Sequence, residues 1–287
     1  MIEILSIGDR VPAGKYRPFF RFAGALNFVR APHRPGLGGP TLVCVIEESK
    51  GAGPLNIVVR GDLSAVMSLE VRKSQVLLGG SPFKIERRYD SALSLTRPVS
   101  PEALGNNLAA FEVALLKNAP AGSLAFLLKR ETDETPPASY MAELARTLRE
   151  GFERLLAGDM SGGARAIKGR GFGLTPGGDD LLAGFLLGLN ALHAAFGLDV
   201  SKEVRTLRRA SRSRNLFSEA FLRCAAEGRF FESAKVLASA LFQGSDEEVR
   251  RACARLSAVG ASSGADLSVG LLSALKLHAS KLQKVSA

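Results

Sequence analysis

Between Leu181 and Leu198 the chain carries eighteen mostly apolar residues, interrupted only by Asn190 and His193 and preceded by Asp179 and Asp180. A bilayer span needs about 20 apolar residues, and polar groups within one are costly. No aromatic belt flanks this stretch. It reads as a central helix buried on all sides, around which the rest of the chain must pack. No basic stretch followed by an apolar core opens the sequence, so no signal peptide is expected, and the expected location is the cytoplasm. Cys44, Cys224 and Cys253 are far apart and odd in number, which suits a reducing compartment and indicates neither a disulfide framework nor a zinc knuckle.

On either side of that helix the patterning differs. Thr41–Ile46, Leu55–Val59, Gln75–Leu78 and Phe83–Arg87 are short, aliphatic and bounded by Gly or Pro clusters, the signature of strands. Phe19–Val29 fits another strand or a short helix. After Pro101 the apolar period lengthens. Helices are expected over 101–116, 139–156, 176–196, 201–211, 214–227, 230–242, 245–257 and 266–282, with one more strand at Ser123–Leu128. The fold class is therefore α+β: a β-rich N-terminal barrel or sandwich over residues 1–100, then a mainly helical domain over 101–287.

Within the helical part the sequence echoes itself. Gly178-Asp-Asp180-Leu-Leu-Ala-Gly184-Phe-Leu matches Gly264-Ala-Asp266-Leu-Ser-Val-Gly270-Leu-Leu, and each copy follows a small polar turn. Two helices with N-termini built alike are expected. If those ends converge, Asp180 and Asp266 face a shared cleft, with Thr175 and Ser263 beside them.

The first of these turns is the richer in chemistry. Gly169, Gly171, Gly173, Gly177 and Gly178 crowd into Lys168–Asp180 and permit positive φ and close backbone approach. Thr175 reads as an N-cap, Pro176 as the first helical residue and Gly197 as the C-terminal stop. Gly173 and Gly178 have P-loop spacing, but Asp179 and Asp180 stand where that motif needs Lys and Ser or Thr. Carboxylates there would repel a bare phosphate. They could hold Mg²⁺ against substrate oxygens, or one could act as a general base or orient an amide. Lys168 and Arg170 could meet the anionic end of a substrate. The plainer alternative stays open: acidic residues in a first turn offset the helix macrodipole, and glycines allow tight packing, as Gly184 and Gly188 are expected to do. His193 and His278 read as helix-end or core histidines.

The formal net charge of +10 favours acidic partners without choosing among them. The basic run Lys202–Arg214 lacks interleaved aromatics and reads as a solvated helix face rather than a nucleic-acid surface.

Gly173-Leu-Thr-Pro-Gly-Gly-Asp-Asp180 followed by an apolar helix, and Ser262-Ser-Gly-Ala-Asp266 later, resemble the family of the third subunit of oxamate carbamoyltransferase, from anaerobic allantoin breakdown. Ala25-Leu-Asn27-Phe in the β-rich front is similar too, so the resemblance extends over most of the chain. Gly177 departs from the serine expected in many members. The resemblance implies an enzyme or enzyme subunit handling a small anionic carbamoyl- or carboxylate-bearing metabolite. A synthetase-like partner subunit is implied, with no membrane association. On that reading Asp179 and Asp180 are the catalytic carboxylates or Mg²⁺ ligands. Lys168, Arg170, Gly173, Thr175, Gly177, Gly178, Ser263, Gly264 and Asp266 would bind substrate. The rival is a non-catalytic assembly or regulatory subunit, in which the same turn is a docking element. A Mg²⁺-dependent hydrolase is a third possibility.

Overall fold

The computed structural model describes residues 2–30, 42–97, 99–129 and 140–285. It resolves into two compact units: residues 1–92 with 230–232, and 93–229 with 233–287.

The first unit is one nine-stranded sheet. Its strands are β1 (Glu3–Gly8), β2 (Gly14–Phe22), β3 (Ala25–Arg30), β4 (Leu42–Glu47), β5 (Asn56–Arg60), β6 (Leu69–Val71), β7 (Gln75–Leu78), β8 (Ser81–Lys84) and β9 (Arg88–Tyr89). The spatial order is β8-β7-β6-β2-β3-β4-β5-β1-β9, antiparallel except for the β4–β5 and β1–β9 pairs. Ile7 from one end of that order and Val76 and Leu78 from the other enter the same buried core with Leu26, Phe28, Val43 and Ile57. A flat sheet could not bring them together, so the sheet curls on itself. The segment expected as one strand or a short helix at 19–29 is a hairpin of β2 and β3, turned at Gly24, whose φ is +70°. The strand expected at Phe83–Arg87 instead begins at Ser81 and ends at Lys84, because Pro82 and Phe83 pair with Leu77 and Val76. Thr41, the first residue of another expected strand, lies outside the described residues.

The second unit is helical. Among the described residues its helices are α1 (Pro101–Asn118), α2 (Tyr140–Leu156), α3 (Met160–Ile167), α4 (Gly177–Phe196), α5 (Ser201–Ala210), α6 (Leu216–Ala226), α7 (Glu232–Gln243), α8 (Asp246–Ser257) and α9 (Ser263–Val285). Ser139, the expected start of α2, lies outside the described residues. Helix α4 is the apolar stretch of the sequence, buried from Gly177 through Leu189, and closes at Gly197 with φ +67°, in the left-handed conformation expected of a stop. No helix among the described residues is long and apolar enough to cross a membrane. The expected strand at 123–128 is a 3-10 turn, Leu124–Leu128, capped by the Ser123 hydroxyl. A run of five apolar residues does not carry its own periodicity, and here Asp266 holds its first backbone amide in place of a neighbouring strand.

Several helix ends are satisfied by side chains. The Asn107 amide of α1 donates to the Leu241 and Gly244 carbonyls at the end of α7, at 3.0 and 3.1 Å. Ser245 and Glu248 form a reciprocal capping box at the start of α8. Ser245→Ala is expected to cost about 1 kcal/mol, read as a small fall in the denaturation midpoint.

Helices α4 and α9 form the centre of this unit. A Cβ on Gly184 would overlap the Leu267 carbonyl oxygen, and one on Gly270 would overlap that of Leu181. Each of these glycines stands four residues past an aspartate, and each meets the residue just after the aspartate of the other helix. Farther along, Gly188 meets Leu271 and Ala274. The contacts advance in the same direction on both helices, so α4 and α9 run parallel, related residue by residue through the echo seen in the sequence. Their N-termini lie side by side.

Candidate functional site

Two parallel helix starts bring their partial positive charges into one small region. The three carboxylates of the site stand there. Thr175, two residues before α4, and Ser263, the first residue of α9, touch through their hydroxyls at 3.3 Å. A Cβ on Gly177 would lie 2.7 Å from Asp266 Oδ2, so this glycine lets α9's aspartate come up against α4's backbone.

The carboxylates do not line an open mouth, as the sequence suggested. They are buried: Asp179 is 2% exposed and Asp180 7%. Thr175 donates its hydroxyl to Asp180 Oδ2 at 3.0 Å instead of capping the helix, and Pro176 takes the N-cap position without a side-chain bond. Burial pushes the pKa of Asp180 well above the usual carboxylate range. Hydrogen bonds from Ser263 and Thr175 oppose that rise, and the charges of Asp266 and Asp179 add to it. Asp266 accepts from the Leu124 amide at 2.6 Å and from the Ser262 hydroxyl at 2.8 Å. Burial still raises its pKa to about 6, against those two bonds. Asp179 accepts from the Gly169 amide at 2.7 Å through Oδ1. Its Oδ2 is buried and has no hydrogen-bond partner.

The glycine turn folds over the first turn of α4. The Gly178 amide donates to the Arg170 carbonyl at 2.9 Å, and a Cβ on Gly171 would come within 2.9 Å of the Gly177 nitrogen. Gly169, Gly171 and Gly173 all have positive φ, between +69° and +104°. Any other residue would be strained in those conformations. Between them Phe172 stands 63% exposed. The Asn215 side chain anchors the far end of the turn by donating to the Leu174 carbonyl at 2.7 Å, while its own oxygen caps α6.

Of the residues expected to build the site, Thr175, Gly177, Asp180, Ser263 and Asp266 come together, with Asp179 one position away on α4. Lys168 and Arg170 are exposed on the turn, and the Lys168 ammonium lies 3.5 Å from the Arg212 carbonyl. Gly264 and Gly178 serve packing: a Cβ on the first would overlap the Leu256 carbonyl, and one on the second that of Ile167. Gly173 is exposed and shapes the turn. Among the described residues no group of three or more His, Cys, Asp or Glu side chains is placed to hold a metal ion. A Mg²⁺ bound here would rest on Asp179 and Asp180 and draw its other ligands from substrate and water. Sequence reasoning missed the amides of Gly169 and Leu124, because backbone donors leave no residue-type signal. It also missed Ser262, although that residue stands in the quoted turn. Asn215 had a signal, an N-cap residue before an apolar helix.

The basic run at 202–214 is the amphipathic helix α5, with Leu207 and Ala210 buried, followed by a short connection. Arg208 pairs with Glu219. His193 is exposed at the end of α4 and bonds the Leu198 carbonyl, and His278 is buried within α9.

Residues 167–275 match the family model of oxamate carbamoyltransferase subunit AllH. The match begins just before the glycine turn and ends within α9, so it takes in Asp179, Asp180 and Asp266. It leaves the β-rich front outside, a narrower span than the sequence resemblance implies. No curated protein and no solved structure gives a significant match.

Proposed function

We propose that the chain is a subunit of a carbamoyltransferase acting on a small anionic metabolite of the oxamate class, with the paired starts of α4 and α9 as its ligand site. The observation that carries the reading is the convergence of two helix N-termini around the buried Asp180 and Asp266. Paired helix starts attract anions. A carboxyl group that keeps its proton to unusually high pH can donate a hydrogen bond to a carbonyl or carboxylate oxygen, or deliver a proton to a leaving group. Asp180 supplies that function, positioned by Thr175 and Ser263, and Lys168 and Arg170 add positive charge on the adjoining turn. The family match over this same stretch supports the carbamoyl chemistry.

Membership of a multi-subunit enzyme has its own support in the β-rich unit. On β2, Phe19, Phe20 and Phe22 are all exposed, and the rings of Phe20 and Phe22 lie 4.6 Å apart. Clustered exposed aromatics of this kind suit a surface that is covered in an assembly. A synthetase-like partner subunit fits that role.

Thermal denaturation of the full chain tests the ligand site. Oxamate or carbamoyl phosphate is expected to raise the midpoint, by about 2.7 kcal/mol of added stability at a hundredfold excess over Kd. Asp180→Asn is expected to melt at or above the wild-type midpoint without ligand and to show no shift with it. Normal shifts in this variant would remove Asp180 from the site, and early melting without ligand would mark it as a packing residue.

A further inference from the structure

Asp179 Oδ2 is the one oxygen of the three carboxylates that the structure leaves buried with no hydrogen-bond partner. Asp266 has donors on both oxygens, and Asp180 is held by two hydroxyls. Leaving a buried acceptor unpaired is costly, more so when it belongs to a charged group. A carboxylate oxygen is a hydrogen-bond acceptor, so the partner that completes it is a donor. At the matching position of α9 stands Ala265, which needs none. The orphaned acceptor therefore marks one side of the pair.

We infer that Asp179 Oδ2 accepts an N–H from the amide end of the ligand, and that this contact selects a carbamoyl or amide group over a carboxylate. The inference rests on the reading of the site given above. An amide end facing Asp179 completes the carboxylate's bonding, whereas a carboxylate end would set two anions against each other out of water. The carboxylate end of such a ligand then lies toward the positive ends of the two helices and Asp180. Gly169, Arg170 and Gly171 lie over this turn of α4, and the ligand enters by displacing them. Phe172, the side chain between two of those glycines, is exposed and does not pin the turn down.

Calorimetric titration of the full chain with oxamate and with oxalate tests the assignment, because the two differ in an amide against a carboxylate. The wild-type chain is expected to bind oxamate at least tenfold more tightly. Asp179→Asn keeps an oxygen for the Gly169 amide and presents a donor in place of Oδ2. It is expected to reverse the preference toward oxalate. Should the variant not fold, N,N-dimethyloxamate on the wild-type chain decides: without its N–H groups it is expected to lose at least tenfold in affinity. Equal wild-type affinities for oxamate and oxalate, or the wild-type order retained in Asp179→Asn, or dimethyloxamate binding as well as oxamate, would each overturn the inference while leaving the site intact. Failure of the wild-type chain to bind either anion would instead bring down the reading of the site itself.

Discussion

Gly184→Val is expected to leave the helical unit without a stable fold, and Gly122→Ala to be silent. The contrast follows from what surrounds each position. A side chain at Gly184 runs into the Leu267 carbonyl, a backbone atom that can give way only if α9 moves as a whole. Around Gly122 there is open space. Overpacking a close-packed interior costs typically 1–3 kcal/mol for small additions and more when backbone is in the way. Total stabilities are roughly 5–15 kcal/mol. Gly184→Ala should therefore cost about 3 kcal/mol and lower the melting midpoint by roughly 6–12 °C, and valine should exceed what the fold can tolerate. Gly270→Ala, its counterpart on α9, should match Gly184→Ala. Circular dichroism during heating reads all four variants. A Gly184→Val chain that melts like the wild type would mean that α4 and α9 are not packed backbone to backbone.

The second large effect depends on pH. Asp266 has a pKa raised from 3.8 to about 6 in the folded chain, chiefly by burial. A carboxyl group whose folded pKa lies above its unfolded value binds protons more tightly when folded. Its contribution to stability is fully present below pH 3.8 and is lost as pH rises through about 6. The difference, about two units, corresponds to roughly 3 kcal/mol. Asp180 shifts in the same direction, chiefly by burial, and adds to the loss. Exposed carboxylates such as Asp159 and Glu248, whose pKa values are lowered by hydrogen bonds, act in the opposite sense, since their contribution is lost as pH falls. Comparison with a variant isolates the buried group. Asp266→Asn, which can still accept from the Leu124 amide, should match the wild type near pH 3.5 and exceed it in stability above pH 6. Urea midpoints at several pH values measure this. A constant difference across the range would show that the buried carboxyl does not titrate with folding.

Much of this arrangement is legible in the chain before any coordinates. The alternation of short aliphatic runs with Gly and Pro clusters marks β4, β5 and β7. The repeated aspartate-and-glycine pattern announces two matching helices, and Thr175 and Ser263 do stand together at their starts. What the sequence lacks is depth. Asp179 and Asp180 read as displayed because charged residues in a first turn are usually solvated, yet here α9 and the 168–174 turn cover them. Backbone donors are equally invisible: Leu124 looks like the start of a strand because nothing local indicates that Asp266, 142 residues later, claims its amide. β1, with the sequence Glu-Ile-Leu-Ser-Ile-Gly, escapes notice because no turn signal precedes it.

Because Gly184, Gly188 and Gly270 bring the two central backbones into direct contact, these helices behave as a single stiff plank. The spacing of Asp180 and Asp266 is consequently set by backbone contact. On the reading proposed for this site, any accommodation a ligand needs comes from the glycine turn above, so that fit is decided against the paired helices and admission by that turn.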